Sequence, residues 1–479
     1  MTKYLSSWIL VLQLLSQLSV NAWPTKSKHP VCIIGAGPSG LTAASRLEAK
    51  GYKAVIFDKQ TELGGKCQAY YDEKGIFHPL GAAFFSNATY TETVKVVNDS
   101  GVSIQPFALA GDREQFRFNY TTADASIQEV PSLSPQFIQL LLLEIPRYAS
   151  LWTTKFAPYS VPSFKKGVPD ELTVSGAEWF HTNNFTALPL LLVNPLALYG
   201  YGDINIVPAL YVLTYITPDI LTAFIGQHDV YYTDFNKIWV EWSKKNLCKT
   251  PINLAHEIRC IDRSGANPVL KYTRPNKKSH FYNWETQTCS RIIFAFPPTI
   301  ENLERAGLDL TKEENEVFKN VGVHNYFSSA VEFALPFGVS YIAESPSINE
   351  PPPNEGEPVA VLRLSSAINI STSWSWGPYK EFESIESARD LLNTTLSKLN
   401  KDPRNVTAAA VPLTNMDIRA FRKWDYFPHF DTEPLKCGAY EKLNKLQGKT
   451  KSYWASGLNG METVEWAIRA GIDVVDSYF

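Results

Sequence analysis

Residues 31–66 read VCIIGAGPSGLTAASRLEAKGYKAVIFDKQTELGGK, and this stretch decides the fold. Val31, Cys32, Ile33 and Ile34 are a short, unbroken apolar run, the pattern of a parallel strand buried on both faces. Gly35, Gly37 and Gly40 follow as GxGxxG. The first glycine permits the tight turn and the second lets backbone approach a pyrophosphate. The third lets the next helix pack closely on the sheet. That helix is expected from about 39 to 49, with Leu41, Ala43, Ala44 and Leu47 inward and Gly51 ending it. Residues 54–57 are a second buried strand, and Asp58 at its tip is placed to accept a hydrogen bond from a ribose hydroxyl. Glycine loops alone are common, but strand, glycines, helix, strand and acid in this order point to a dinucleotide site.

Asp58 is followed after five residues by Gly64-Gly65-Lys66. This spacing resembles the acid-x5-GG pattern of the FAD-binding amine oxidase and phytoene desaturase superfamily. The resemblance implies FAD as cofactor, with amides of the paired glycines reaching its pyrophosphate. Near the other end, Gly457 and the run Gly460-Met-Glu462-Thr463 resemble the superfamily's C-terminal FAD motif. A helix opening there would aim its N-terminus at the flavin pyrimidine edge and favour negative charge. With no second GxGxxG in the chain, a bound nicotinamide donor is not expected.

At 479 residues the chain is too long for one simple core, so two intertwined domains are expected. A formal charge of −3 provides no basic field for nucleic acid. Residues 1–22 read as a secretory signal: Lys3, an interrupted apolar stretch, then Val20-Asn21-Ala22 as a cleavage pattern. N-x-S/T sequons begin at Asn87, Asn98, Asn119, Asn184, Asn369, Asn393 and Asn405. Together these predict a secreted or lumenal, N-glycosylated protein. In an oxidising compartment the six cysteines can pair in 15 ways. Cys32, inside the first strand, reads as an inert core thiol, and a pair among Cys248, Cys260 and Cys289 is expected. None of them has zinc-ligand spacing, so no metal site is expected.

The fold class expected is α/β, a Rossmann-type FAD-binding domain interleaved with an α+β substrate-binding domain. The FAD domain is assigned 30–85, 236–298 and 450–479, and the substrate domain 86–235 and 299–449. Residues 134–148 are expected as a helix with Leu140–Leu143 deeply buried. His78 reads as a hydrogen-bonded structural histidine. Tyr199 and Tyr201, in Tyr-Gly-Tyr-Gly, suit either a ligand cavity or ordinary packing.

Taken together, the chain resembles flavin-containing amine-oxidase-like oxidoreductases, and by motif most nearly the secreted fungal flavoproteins grouped with β-cyclopiazonate dehydrogenase. The resemblance implies hydride removal from a small substrate: an amine, an indole or another secondary-metabolite intermediate, with oxidative cyclisation in view and oxygen as the expected acceptor. It also leaves open an FAD-dependent desaturase or isomerase of polyenes or terpenoids, or a flavin binder without turnover. Many amine oxidases carry a lysine on the substrate-domain strand facing the flavin. A rough register puts His324 at that position, with Tyr326 beside it, so His324, Tyr326, Tyr199 and Tyr201 are the catalytic candidates. The cofactor candidates are Gly35, Gly37, Gly40, Asp58, Gly64, Gly65, Lys66, Gly457, Glu462 and Thr463. Cys437 or His429 is a further candidate, as a covalent flavin link.

Overall fold

The computed structural model describes residues 27–479 apart from 110, 112, 120, 276–281 and 345–356. The 1–22 signal expectation therefore lies outside the described residues. Five strands form one parallel sheet: β1 (Val31–Ile34), β2 (Ala54–Phe57), β3 (Ile252–Asn253), β4 (Arg291–Phe294) and β5 (Ser452–Trp454), in the spatial order β3-β2-β1-β4-β5. Three distant parts of the chain thus contribute to one sheet.

Both faces of this sheet are covered, which is why VCII carries no polar position. Val31, Ile33, Ile56 and Ile293 pack with helices α1 (Pro38–Ala49) and α2 (Val464–Tyr478), through Leu41, Leu47, Ile468 and Val475. Cys32, Ile34, Phe57 and Phe294 face the other way, into a core shared with Ile258, Leu270 and Tyr272. The last three belong to an antiparallel meander, Glu257–Asp262, Val269–Pro275 and Tyr282–Thr288. The helix Thr91–Ser100 also joins the first core, through Val96 and Val97.

Helix α2 continues to Tyr478, and Gly471, a residue type that commonly ends helices, does not end it. Gly471 is a crossing point instead: a Cβ there would stand 2.2 Å from the Ser39 carbonyl oxygen. Small size at that position is what lets the two helices touch.

The second large sheet has seven strands, ordered Ile418–Phe430, Val321–Glu332, Ile370–Tyr379, Pro358–Leu362, Val339–Ala343, Glu114–Phe118, Gln128–Glu129. All its pairings are antiparallel except Val339–Ala343 with Glu114–Phe118. Ile418–Phe430, which includes Lys423-Trp-Asp-Tyr-Phe-Pro428, is the longest strand in the sheet.

Two sequence expectations about packing are corrected. The helix is present as Pro135–Leu151, but of Leu140–Leu143 only Leu141 is buried, at 2% exposure, whereas Leu143 is 73% exposed. Successive helical residues are 100° apart, so four in a row cannot share one face. Cys32 is not a free thiol: it forms a disulfide with Cys289, at a Cα separation of 5.6 Å. Cys248 and Cys260 are free, so the pair expected within that region does not form. The parallel register of β1 with β4 brings Cys289, just before β4, beside the first strand. That proximity is invisible in a sequence separation of 257.

Candidate cofactor and substrate cavity

At the carboxyl ends of β1 and β2, two glycine turns are folded onto each other. Gly64 N–H donates to the Ala36 carbonyl at 2.8 Å, and a Cβ on Gly65 would lie 3.0 Å from Gly37 Cα. Gly35 has φ +116°, and a Cβ there would meet Ala295 O at 2.5 Å. A Cβ on Gly40 would be 2.0 Å from the Gly35 carbonyl, so close helix–strand packing is its role. Gly37 differs: its φ of −80° suits any residue, and its Cβ would find only Gly65 Cα, at 3.7 Å. The space before Gly37 is open cavity.

Asp58 holds this loop from beside it. Its Oδ2 accepts from Ala36 N–H at 2.6 Å and its Oδ1 from Gln60 N–H at 2.8 Å. Burial raises the Asp58 carboxyl above its usual range, and these two N–H groups pull against that. Asp58 also lines the cavity, so the acid both ties the turn and borders the space beyond it.

The C-terminal segment meets the loop across an ion pair. Lys66 Nζ stands 2.7 Å from Glu462 Oε2. Thr463 caps α2 by accepting from Trp466 N–H, and Ser456, Gly457, Glu462, Thr463 and Val464 all border the cavity. The positive end of α2 therefore opens on the same space as the glycine turns. The cavity measures about 1970 Å³. Gly35, Gly37, Asp58, Gly65 and Lys66 form one part of its wall, and Gly81 and Ala82 continue it. Gly40 and Gly64 lie behind that wall and shape the turns.

Tyrosines close another part. Tyr201 donates to the Glu462 carbonyl at 3.0 Å and Tyr426 to the same oxygen at 3.4 Å. Tyr326 donates to Leu198 O at 2.8 Å and stacks on Tyr426 with centroids 4.8 Å apart. Burial pushes the Tyr201, Tyr326 and Tyr426 phenols well above their ordinary pKa, and Tyr199 up to about 12. All four rings line the cavity as neutral groups. Tyr426 was missed in the sequence because its strand was not recognised there. The glycines of Tyr-Gly-Tyr-Gly have a packing reason: with φ +78° and +88°, Gly200 abuts Tyr326 and Gly202 abuts His324.

The expected register of His324 is corrected. Val323, Asn325 and Tyr326 line the cavity, but His324 does not. Its ring lies among Tyr379, Trp376 and His429, at centroid distances of 4.9, 5.5 and 6.1 Å. Bulges interrupt the pairing on both sides of His324 and break the simple alternation from which the register was read. Burial lowers its pKa to about 3 and that of His429 to about 4. Neither His429 nor Cys437 lines the cavity, so the covalent-link candidates are not in position to reach a ligand there. His78 is a structural histidine, with Nε2 3.0 Å from Asp72 Oδ2 and both groups buried.

Comparison with known proteins agrees with this geometry. Residues 33–99 match the family model for the NAD(P)-binding Rossmann-like domain. The chain is 24% identical over 451 residues to the FAD-dependent oxidoreductase dpchF of Colletotrichum higginsianum, covering 89% of this chain and 88% of that one. Among solved structures, a CLA-producing fatty acid isomerase from P. acnes superposes with a TM-score of 0.75 at 20% identity, covering 94% of this chain and 99% of that one. A redesigned putrescine oxidase superposes with a TM-score of 0.59 at 15% identity, covering 94% and 98%. The chain thus has a Rossmann-like dinucleotide-binding domain within the mixed α/β fold of the amine-oxidase-like flavoproteins, and its full-length relatives include FAD-dependent oxidoreductases.

Proposed function

We propose that this chain is a secreted FAD-dependent oxidoreductase that removes a hydride from a small organic substrate, at a carbon next to nitrogen or in an allylic or benzylic position. The observation that carries the reading is the convergence of both ends of the chain on one cavity, with Lys66 and Glu462 joined at 2.7 Å. The glycine cradle fits a dinucleotide: Gly37 presents bare backbone to open space, and a side chain there would occupy the space itself. Gly35, Gly37, Asp58 and Gly65 would hold the nucleotide end. Lys66, Gly457, Glu462 and Thr463 would hold the flavin end, beside the positive terminus of α2. When bound, FAD supplies the hydride-accepting centre.

The chain's own part is orientation and exclusion of water. Tyr201, Tyr326 and Tyr426 have their hydroxyls fixed on backbone carbonyls, so they offer ring faces to the cavity and keep their protons. Aligning a C–H bond against a cofactor needs such rigid walls more than it needs a base. Hydride loss requires no proton acceptor at the carbon. His324, behind the wall, is a packing residue in this account.

Oxygen is the proposed electron acceptor, and secondary metabolism the setting, with oxidative cyclisation following oxidation. The secretory route is supported by the Cys32–Cys289 disulfide and by sequon asparagines Asn87, Asn98, Asn184, Asn369 and Asn405, which are exposed. Anaerobic titration of the purified protein with amines, indoles and polyenes tests the reading. Bleaching of the flavin, restored by air with release of peroxide, supports it. Product formation without oxygen uptake or net oxidation would replace it with the isomerase reading. No bleaching by any of the panel contradicts it.

A further inference from the structure

Leu80 precedes the Gly81–Ala82 part of the cavity wall, and it is fully buried. Its carbonyl oxygen is held by two side chains of the seven-stranded sheet. Ser328 Oγ donates to it at 2.6 Å and Trp424 Nε1 at 2.8 Å. Trp424 Nε1 also stands 3.1 Å from Ser328 Oγ, so the three polar atoms close on one another. The pairing of Val321–Glu332 with Ile418–Phe430 sets Ser328 opposite Arg422 and Tyr326 opposite Trp424. Ser328 and Trp424 are therefore diagonal neighbours on one face of the sheet. Both are buried, and together they fill both lone pairs of one loop carbonyl.

This clamp acts on the next residue. A peptide unit is planar, so fixing the Leu80 C=O also fixes the Gly81 N–H, which points the opposite way. Leu80 N–H is spent on Gln68 O at 2.9 Å, and Ala82 N–H on Lys66 O at 3.1 Å. Gly81 N–H, between them, has no acceptor among the described residues. Gly81 borders the cavity and has to be glycine, because a Cβ would stand 1.8 Å from Lys66 O. A partly buried N–H held rigid at a cavity wall is costly until an acceptor reaches it.

We propose that Ser328 and Trp424 are positioning residues: through the Leu80 carbonyl they hold the Gly81 N–H as a hydrogen-bond donor to a carbonyl oxygen of the flavin ring. The inference rests on the reading of this cavity as an FAD site, and it ties the seven-stranded sheet to the electron affinity of the cofactor. A ring carbonyl oxygen gains negative charge when the flavin is reduced, so a donor fixed against it favours the reduced form.

The test is the reduction potential of the full-length, FAD-loaded protein, native and as Ser328→Ala, Trp424→Phe, the double variant and Ile370→Val. Ile370 shares a small core with Leu80 and has no donor, so its variant loosens the same packing and leaves the clamp in place. In the double variant the preference for reduced over oxidised FAD is expected to fall about tenfold, or about 30 mV for a two-electron couple. Each single variant keeps one donor and falls by less, while Ile370→Val stays at the native potential. All are expected to retain FAD. An unmoved potential in the double variant overturns the proposal, as does an equal fall in Ile370→Val. If the double variant does not fold, the single variants decide, and a native potential in both overturns it. Colourless native protein defeats the FAD reading and this inference together, whereas yellow protein with an unmoved potential defeats the inference alone.

Discussion

Lys66 Nζ donates to Glu462 Oε2 at 2.7 Å, joining residues 396 positions apart. The lysine belongs to the second glycine turn and the glutamate to the loop before α2. Both are only partly exposed, at 21% and 14%. Glu462→Gln removes the charge but keeps the shape, leaving the ammonium without its partner. The expected loss is about 1–3 kcal/mol of stability, allowing for residual solvent screening. FAD affinity should fall as well, because the two segments that border the cavity are no longer drawn together. Melting curves with and without added FAD check this, and an unchanged FAD dissociation constant would contradict it.

Gly37 and Gly40 make a paired prediction. Gly40→Ala puts a methyl 2.0 Å from a backbone oxygen, so soluble folded protein should be lost. Gly37→Ala has allowed backbone angles and ordinary contact with Gly65, so the fold should persist while FAD is lost. Circular dichroism and the flavin absorption of the purified variants separate the two. Retention of full colour in Gly37→Ala or Gly37→Val would show that the cradle does not face the cofactor.

The Cys32–Cys289 disulfide closes a loop across the core of the parallel sheet. Cys32→Ser or Cys289→Ser should destabilise the protein by about 2–5 kcal/mol. Non-reducing peptide mapping, with the melting temperature in and out of reductant, is the check. Free thiols at both positions in protein purified without reductant would refute the pairing.

The two buried histidines predict a pH dependence. His324 and His429 have folded pKa values of about 3 and about 4, below the ordinary histidine value of 6.5. The unfolded chain therefore binds the extra protons first. Their contribution is complete above about pH 6.5 and is lost as the pH falls towards 4 and then 3. Melting temperature should drop across that window, and His324→Gln should flatten the drop by about one proton's worth of slope. An identical pH profile in the variant would remove His324 from this role.

Much of the fold was legible because the deciding pattern is local. VCII, the glycines and AVIF occupy neighbouring positions, and the structure has them as β1, α1 and β2 within a residue of expectation. The C-terminal motif was legible for the same reason. Readings that failed depended on contacts made far along the chain. The partner of Cys32 is set by sheet order, and the facing of His324 by bulges on two separate partner strands. Tyr426 lies on the long strand Ile418–Phe430, and without that strand's placement nothing aimed it at the cavity.

The central claim is that the glycine turns and the start of α2 enclose one FAD. The most direct measurement is the absorption spectrum and flavin stoichiometry of the purified protein, before and after acid precipitation. The account predicts one FAD per chain, released wholly into the supernatant because neither Cys437 nor His429 reaches the cavity. Folded protein that is colourless and fails to take up added FAD would contradict it.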